Sequence, residues 1–443
     1  MRRHIAVVLN LALAVSMAAP AHASGPELAG TLTNGTVVVT PKNLDLLLFG
    51  HNTDTTKAMN QVLRGKDHLN AARAELIPSL NVNFLSTISN PPAFLLNFAS
   101  CLVPFLFPSK WYALNAADKS YAADITGLEI TRLNTYSIAY AVLVRIKGDE
   151  EVLKSVSQSV GALDEYLSGL DVQAKMGLIP QSDVLRATIE RGRISGDMIR
   201  LKETIDDEHA TLRKMLGFHI DQKFAIDLGD EGASQYEDLK ADSPLLLKMV
   251  MRAPERTQLD FLLDAAKDGV SGARWAFLSG CSGNSSSVGT NSSGFNVSSG
   301  ISISIGYGYF PAIDLAKRNV KDVEIQQDAL QLELGRTLES TLSAIAGEKA
   351  RAEQAQASVS AAEALLADQN YLLDLGKVTV RERIEALTAL ARARTDLISS
   401  RVTLNGHRIT LKRLALEGKF LKVYIQSNRD LELGTHGSPR RGD

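Results

Sequence analysis

The sequence has 443 residues, of which 45% are hydrophobic, 6% are aromatic and 22% are charged, with a formal net charge of −2. A chain of this length would ordinarily form two or three globular domains, but long stretches rich in Ala, Leu, Glu, Gln and Arg are typical of long helices and coiled coils. The nearly balanced charge gives no reason to expect nucleic acid as a partner.

The amino terminus has the organisation of a secretory signal peptide. Arg2 and Arg3 precede an apolar run over residues 5–19, and an Ala-x-Ala cleavage site ends at Ala23. The apolar run is too short to span a bilayer comfortably, as expected of a signal peptide and not of a membrane anchor. We therefore predict that residues 1–23 are removed and that the mature chain is exported.

Proline placement predicts two very long helices, because a proline inside a helix removes a hydrogen bond and clashes with the preceding turn. Proline is missing from three long windows, residues 109–179, 181–243 and 312–438. Within them we predict near-continuous helices over 116–176 and 314–375, each about 90 Å long at 1.5 Å per residue. Helices of this length do not fit inside a compact globule.

Each long helix is followed by a glycine and a second helix, over residues 181–216 in one case and 379–416 in the other. The apolar positions of both shorter helices recur at helical spacing, which predicts coiled-coil hairpins. The two glycines, Gly177 and Gly376, lie 199 residues apart, and a second matching segment, near residue 72 and again near residue 273, is offset by 201. Two register points with nearly one offset indicate an internal two-fold repeat.

Between the first helix and the long helix of each half lies a segment with strand periodicity. Residues 296–310 place branched and aromatic side chains on one face and small polar ones on the other, and residues 79–89 repeat this pattern. Such alternation predicts strands between lipid and an aqueous lumen; a strand of a soluble sandwich is the alternative. Partner strands over 98–112 and 277–288 alternate poorly and are inferred from the repeat.

The chain has two cysteines, Cys101 and Cys281, which an oxidising compartment would allow to form a disulfide. On the predicted layout Cys281 lies near the start of one strand and Cys101 lies well along another. At about 3.3 Å per strand residue, this layout disfavours a bond between the two sulfurs, and the sequence leaves open whether they pair.

The predicted fold is mainly α with membrane β-strands, and its parts follow one another in a simple order. They are a signal peptide (1–23), a first repeat (24–220) with strand pair 79–112 and helical hairpin 116–216, a linker in an equatorial region (221–243), a second repeat (244–416) with strand pair 277–310 and hairpin 314–416, and a partly disordered C-terminal tail (417–443).

This doubled order resembles the TolC family of outer-membrane efflux proteins, the outer membrane factors, over residues 44–416. The most specific pieces are Ala-Arg-Ala-Glu-Leu-Ile-Pro-Ser-Leu at 72–80 and the break at Gly177. The resemblance implies a homotrimer in which each chain gives four strands to one twelve-stranded β-barrel, continued by a helical tunnel. Four strands alone leave two unpaired edges, which cannot face lipid, so closure by other chains agrees with this expectation.

The resemblance also implies a function and a location. We expect an outer-membrane channel-tunnel with a periplasmic extension, which exports its substrate by efflux or type I secretion together with a periplasmic adaptor protein and an inner-membrane transporter. The glycine breaks are expected at the periplasmic tip, where the adaptor docks. The residues assigned to this tip are Gly177, Leu178, Asp183, Gly376, Lys377 and Arg381.

Two acidic residues are expected to line the narrowest ring of the pore. Glu382 and Glu385 follow Gly376 by six and nine residues and share one helix face, so a trimer would present six carboxylates that attract cations and hold protons more tightly through mutual repulsion. The alternative is an ordinary acidic helix start that suits the helix dipole. We further expect Asp183 to pair with Lys377 or Arg381.

Catalysis is not predicted. The eight histidines show no metal-ligand spacing, no glycine-rich loop could cradle a phosphate, and no serine has an identifiable base. We therefore expect no enzyme activity, cofactor or metal. The alternative function is that of a soluble periplasmic coiled-coil adaptor, although adaptors generally carry one hairpin with compact β domains. Whether the exported substrate is a drug, a metal or a protein is left open by the sequence.

Overall fold

The computed structural model of the chain describes residues 32–33, 36–77, 107–229, 232–239, 243–279, 302–303, 307–375 and 377–425. Most of these residues are helical. The helices are α1 (Leu44–His51), α2 (Thr53–Ala74), α3 (Pro108–Lys175), α4 (Gln181–Leu216), α5 (Pro244–Met251), α6 (Pro254–Trp275), α7 (Tyr309–Asp374) and α8 (Val380–Leu414). A final helical segment covers residues 419–425.

The helices repeat in order and in length. The two flanking helices α2 and α6 both have 22 residues, and the long helices α3 and α7 have 68 and 66. At 1.5 Å per residue each long helix extends about 100 Å. The hairpin helices α4 and α8 have 36 and 35 residues. Each half is therefore one long helix accompanied by two shorter ones.

The two shorter helices of each half meet end to end beside the long helix. Asn52 caps the start of α2 by accepting from the Asp54 and Thr55 amides, while its own Nδ2 donates to the carbonyl of Met215, 2.8 Å away at the end of α4. In the second half, Arg413 in the last turn of α8 pairs with Glu255 in the first turn of α6. Each half thus sets an unbroken helix beside a jointed one.

Both long helices begin earlier than the sequence suggested. Helix α3 starts at Pro108, so residues 108–112 are helical and the predicted strand 98–112 is wrong over these five positions. Helix α7 starts at Tyr309 instead of 314, so the last two residues of the predicted strand 296–310 are also helical. Proline suits the first helical turn because its missing N–H has no intrahelical acceptor there.

Two small sheets accompany the helices in the part of the chain that the structure describes. Strand β2 (Thr36–Val39) pairs antiparallel with β1 (Leu32–Thr33) and parallel with β3 (Phe224–Ile226), which comes from the linker between the halves. Strands β4 (Leu278–Ser279) and β5 (Ser302–Ile303) pair antiparallel, in the region where the second strand pair is expected. The predicted strand 79–89, most of 98–112 and most of 277–310 lie outside the described residues, as do both cysteines.

The largest hydrophobic core lies where the linker, the chain ends and the helix joints meet; we call it the equatorial core. It gathers Val37, Val39, Leu44, Leu47, Leu48, Leu133, Tyr136, Ala139, Tyr140, Leu143, Val144, Ile146, Leu212, Leu216, Ile226, Ile409, Phe420 and Val423. The Tyr136 ring meets the edge of Phe420 at 5.1 Å, and its hydroxyl donates to the Pro41 carbonyl at 2.9 Å. Phe420 and Val423 of the final helical segment are therefore part of this core.

A buried carboxylate helps to fasten the linker to the second hairpin. The side chain of Glu237 is 3% exposed, accepts two hydrogen bonds from Arg408 at 2.6 and 3.2 Å, and lies 2.9 Å from Lys349. Burial opposes its ionisation, but the hydrogen bonds from Arg408 and Lys349 outweigh that cost and lower the pKa of Glu237. Ser234 adds a backbone N–H to the same carboxylate at 2.8 Å.

The long helix α3 packs against α2, α4, α6 and α8, and α7 packs against α6 and α8. Helices α3 and α8 are in close contact at Gly148, where an added Cβ would collide with a methyl group of Val402. Among the described helices, none carries an apolar stretch long enough to cross a membrane.

Candidate functional site at the hairpin tip

The first hairpin turns through a glycine in the left-handed conformation. Gly177 has φ = 75°, its N–H donates to the Ala174 carbonyl at 2.9 Å, and the N–H of Leu178 donates to the Gln173 carbonyl at 2.9 Å. These two bonds form a Schellman motif, which ends a helix by satisfying its last carbonyls. The break leaves two apolar side chains in solvent, since Met176 is 68% and Leu178 is 70% exposed.

The second hairpin ends its long helix in a similar way but begins the next helix differently. The N–H of Lys377 donates to the Leu372 carbonyl at 2.9 Å, as Leu178 does in the first half; Gly376 lies outside the described residues. Helix α8 then starts with a capping box between Thr379 and Glu382, whereas α4 starts at Pro180 without a side-chain cap. The second break is therefore the more firmly bonded of the two.

Glu382 is exposed and held by its own helix start. Its Oε2 accepts from the backbone N–H of Thr379 at 2.8 Å and from the Thr379 hydroxyl at 2.9 Å. Both hydrogen bonds lower the pKa of Glu382, and the one from the Thr379 backbone N–H has the larger effect. The side chain is thus a stable carboxylate near neutral pH.

Glu385 lies one turn further and accepts from Arg381 at 2.7 Å. The structure therefore places Arg381, Glu382 and Glu385 together at the start of α8. The expected pairing of Asp183 with Lys377 or Arg381 is not formed between these described residues, because Arg381 binds the carboxylate of its own helix instead. Asp183 and Arg381 do line the same groove.

That groove, which we call the tip groove, lies between the starts of α4 and α8 and has a volume of about 370 Å³. Its lining includes three acidic and three basic side chains, so the charges nearly cancel. The lining residues are Asp183, Arg186, Glu190, Val380, Arg381, Ile384, Glu385, Thr388, Ala389 and Arg392. No group of metal-ligating side chains occurs among the described residues.

Among the described residues, the two hairpins of one chain touch at the tip through an apolar cluster, a cation–π contact and a hydrogen bond that the Thr388 hydroxyl donates to Glu190 Oε1 at 3.4 Å. The cluster consists of Tyr166, Leu170, Val184, Ala187, Val380 and Ile384. The guanidinium of Arg383 lies 4.1 Å from the centre of the Tyr166 ring. Tyr166 lies in α3, 217 residues before Arg383, and no sequence pattern around Tyr166 indicates that Arg383 is its partner.

Comparison with known proteins was informative at the level of structure. No profile of a known protein family matches the chain, and no curated protein sequence matches it. The outer membrane channel CmeC of Campylobacter jejuni is similar at a TM-score of 0.68 with 14% identity, covering 87% of this chain and 88% of the other. A membrane protein of Pseudomonas aeruginosa gives 0.68 with 13% identity, covering 85% and 90%.

A third solved structure, the outer membrane protein VceC of Vibrio cholerae, gives a TM-score of 0.66 with 12% identity and covers 85% of this chain and 95% of the other. The chain has the fold of the TolC-type outer-membrane channels. The resemblance predicted from the doubled element order is thus confirmed at the level of fold. The similarity covers nearly the whole length of these channel proteins.

Proposed function

We propose that the protein is a homotrimeric outer-membrane channel-tunnel that exports substrates across the periplasm and the outer membrane. The observation that carries the proposal is the doubled set of one unbroken and one jointed helix with glycine breaks at the far end, which matches TolC-type channels over at least 85% of the chain in each comparison above. In this proposal three chains each contribute four strands to a twelve-stranded barrel in the membrane.

The helices form the wall of the conduit and need no catalytic group. Transport energy comes from an inner-membrane transporter, and a periplasmic adaptor links that transporter to the tip. The exposed side chains of Met176 and Leu178 support a docking role for the first break, because exposed apolar groups at a loop tip commonly serve contacts with partners. Lys377 and Arg381 would supply the polar part of the same surface.

Glu382 and Glu385 narrow the tip in this proposal. Three chains would place six carboxylates around one axis, and the ring would favour cations over anions. The hydrogen bonds to Glu382 keep it ionised, whereas the ion pair between Glu385 and Arg381 weakens the field of the ring. We therefore expect modest cation selectivity.

Planar-bilayer conductance of the purified mature protein tests this function. The native protein should give a small, cation-selective conductance, and the double variant Glu382→Ala/Glu385→Ala should conduct more with less selectivity. A matched control is Glu333→Ala, which removes an exposed carboxylate of α7 paired with Arg336 within its own helix. This control should conduct like the native protein.

The outcomes separate the parts of the proposal. If the native protein conducts and the double variant conducts in the same way, Glu382 and Glu385 do not form the gate, but the channel function stands. A folded protein that never conducts, and that carbonate extracts from membranes, would instead favour a peripheral coiled-coil adaptor.

A further inference from the structure

A buried pair of acidic side chains joins the two helices of the first hairpin. Asp149 of α3 and Glu208 of α4 face each other, and Leu212, one turn further along α4, belongs to the equatorial core. The side chain of Glu208 is 11% exposed and that of Asp149 is 23% exposed. Both oxygens of Glu208 are closed off from solvent. Two acids are thus held out of water at the tip-facing border of the core.

The two carboxyl groups are hydrogen-bonded to each other. A carboxylate accepts hydrogen bonds but cannot donate one, so a bond between two carboxyl groups requires a proton on one of them. A guanidinium also faces the pair, since Arg145 Nε lies 2.5 Å from Glu208 Oε1 and 4.0 Å from Asp149 Oδ2. One positive charge balances only one carboxylate, so the site is neutral when the pair holds one proton.

The other charged groups of α3 and α4 do not change this balance. Asp207 adds negative charge beside the pair. Lys147 lies 2.6 Å from Glu150, and His209 lies 3.6 Å from the same carboxylate. Strand β3 places the apolar ring of Phe224 against the His209 ring, with 5.4 Å between centres. The nearby cations are therefore directed at a different acid.

Helix α8 also packs against this part of α3, and it does so with the apolar Val402. The guanidinium of Arg401 donates to Gln356 at 3.1 Å. The guanidinium of Arg408 is bound to Glu237. Both arginines of α8 that flank this contact are thus engaged with other partners.

The surroundings determine when the shared proton leaves. Burial, followed by the negative charge of Asp149, raises the pKa of Glu208 to about 7. Burial also raises the pKa of Asp149, and the attraction of Arg145 offsets part of this shift. The proton therefore resides on Glu208 and leaves as pH rises through neutrality. Two like charges then face each other between α3 and α4, without the hydrogen bond that joined them.

The second half of the repeat does not duplicate the two acids. At the offset of 199, the counterparts of Asp149 and Glu208 are Glu348 and His407. Glu348 forms an ion pair with Arg351 of its own helix. The facing pair of carboxyl groups is therefore a feature of the first hairpin.

We propose that Asp149 and Glu208 form a carboxyl latch of the first hairpin: one shared proton holds α4 against α3, and its loss near neutral pH loosens α4 below the equatorial core. The change stays local because Leu212 and Leu216, further along α4, are fully buried in that core. Towards the tip, α4 packs through smaller apolar clusters. The latch thus controls the part of the hairpin that has the fewest buried contacts.

Hydrogen exchange of the purified mature protein tests the latch. Opening of α4 around residues 205–212 should rise about tenfold from pH 6 to pH 8, beyond the intrinsic pH dependence of exchange. The reason is that opening returns Glu208 from a pKa of about 7 to its ordinary value of 4.5. Equal opening at the two pH values would overturn the proposal.

Three variants identify the groups of the latch. Glu208→Gln is a permanently neutral form and should remove the response, leaving α4 protected at pH 8. Asp149→Asn removes the repelling charge and should shift the midpoint of the response to lower pH. Glu203→Gln, which changes an exposed acid of the same helix, is the matched control and should respond like the native protein. A native response in Glu208→Gln would contradict the latch.

His209 requires a separate variant, because histidine ordinarily titrates in the same pH range. His209→Gln should keep the native response. Its loss in this variant would assign the proton to the imidazole and overturn the proposal. These measurements report helix packing and require no transport, so failure of the latch would leave the proposed channel function to be decided by conductance.

Discussion

The equatorial core and the hairpin tip use the same kinds of side chain in different surroundings. At the equator, Tyr136 is fully buried, and the side chain of Glu237 is 3% exposed between two cations. At the tip, Tyr371 is 66% exposed, and Glu385 makes its ion pair with Arg381 in solvent. The same kind of contact therefore stabilises the folded chain more in the equatorial core than at the tip, because burial removes the competition from water.

The difference shows where the single chain is held and where it can rearrange. Strands, chain ends and helix joints converge on the equatorial core, whereas the described residues hold the tip through a small apolar cluster, a cation–π contact and the hydrogen bond from Thr388 to Glu190. Regions with few buried contacts open at lower free energy than the core. In the proposed channel, the tip would therefore open at a lower free energy than the equatorial core.

The largest expected effect comes from the core aromatic. Tyr136→Ala removes a fully buried ring and its bond to Pro41, and should lower the free energy of unfolding by roughly 3–5 kcal/mol, since the surroundings collapse only in part. Tyr371→Ala, which removes an exposed ring of α7, should have little effect. Denaturant titration in detergent measures both, and equal losses would contradict the comparison.

Next in size is the buried carboxylate of the linker. Glu237→Gln leaves Arg408 and Lys349 facing a neutral group, and should cost roughly 3 kcal/mol because buried cations lose their counter-charge. The lowered pKa of Glu237 means that its contribution is present above the ordinary carboxyl pKa and is lost as pH falls through the folded-state value.

The free energies of unfolding of the Glu237→Gln variant and the native protein should therefore become more similar at acidic pH. Denaturant titration from neutral pH downward measures the convergence, with Glu333→Gln as the exposed control that should change nothing measurable. A difference from native protein that stayed constant down to the lowest pH would argue against the ion pair.

A buried acid in α3 should give a smaller effect of opposite sign. Burial raises the pKa of Glu129 to about 7, and the attraction of Arg132 offsets only part of the shift. The folded state then binds the proton more tightly than the unfolded state, so stability falls as pH rises from the ordinary value of 4.5 towards 7.

Glu129→Gln removes this titration and should flatten the pH dependence, by at most ~3 kcal/mol at 1.36 kcal/mol per pKa unit. Thermal unfolding between pH 5 and pH 8 measures the slope. Glu165→Gln, on an exposed face of the same helix, should keep the native slope; a native slope in both variants would place the proton elsewhere.

The smallest expected effect is at the tip. Arg383→Gln removes the cation above the Tyr166 ring and should cost about 0.5–2 kcal/mol, expressed locally because the contact joins the hairpins. Hydrogen exchange at the start of α8 should accelerate while exchange in the equatorial core is unchanged. Arg381→Gln, which loses only an exposed ion pair, is the control; core exchange that rose with the tip would contradict independent regions.

The sequence predicts best where local signals are strong. The predicted bounds of helix α4 agree with the observed ones, Gln181–Leu216; Pro180 precedes the helix, and Gly217, with φ = 67°, ends it. The predicted start of helix α3 is too late, because the apolar residues before it also fit a strand, whereas Pro108 favours a first helical turn.

Contacts between residues that are far apart in the chain could not be predicted from the sequence. Val37 pairs with Phe224, and Glu237 binds Arg408, 171 residues away, without any local pattern that marks the partners. At the tip, the positions of Glu382 and Glu385 followed from the resemblance, but the bonds that hold them depend on Thr379 and Arg381. Periodicity reveals which face of a helix is apolar, not what it meets.

The pairing of an unbroken helix with a jointed one has a mechanical consequence. The first long helix extends about 45 Å from Ile146 in the equatorial core to Lys175. The core end of this segment lies beside the helix joint at Asn52 and Met215. If the helix tilted by about 5° about this point, its far end would move by roughly 4 Å. In the proposed channel, small adjustments among well-packed residues would thus change the width of the pore at the tip without unfolding any helix.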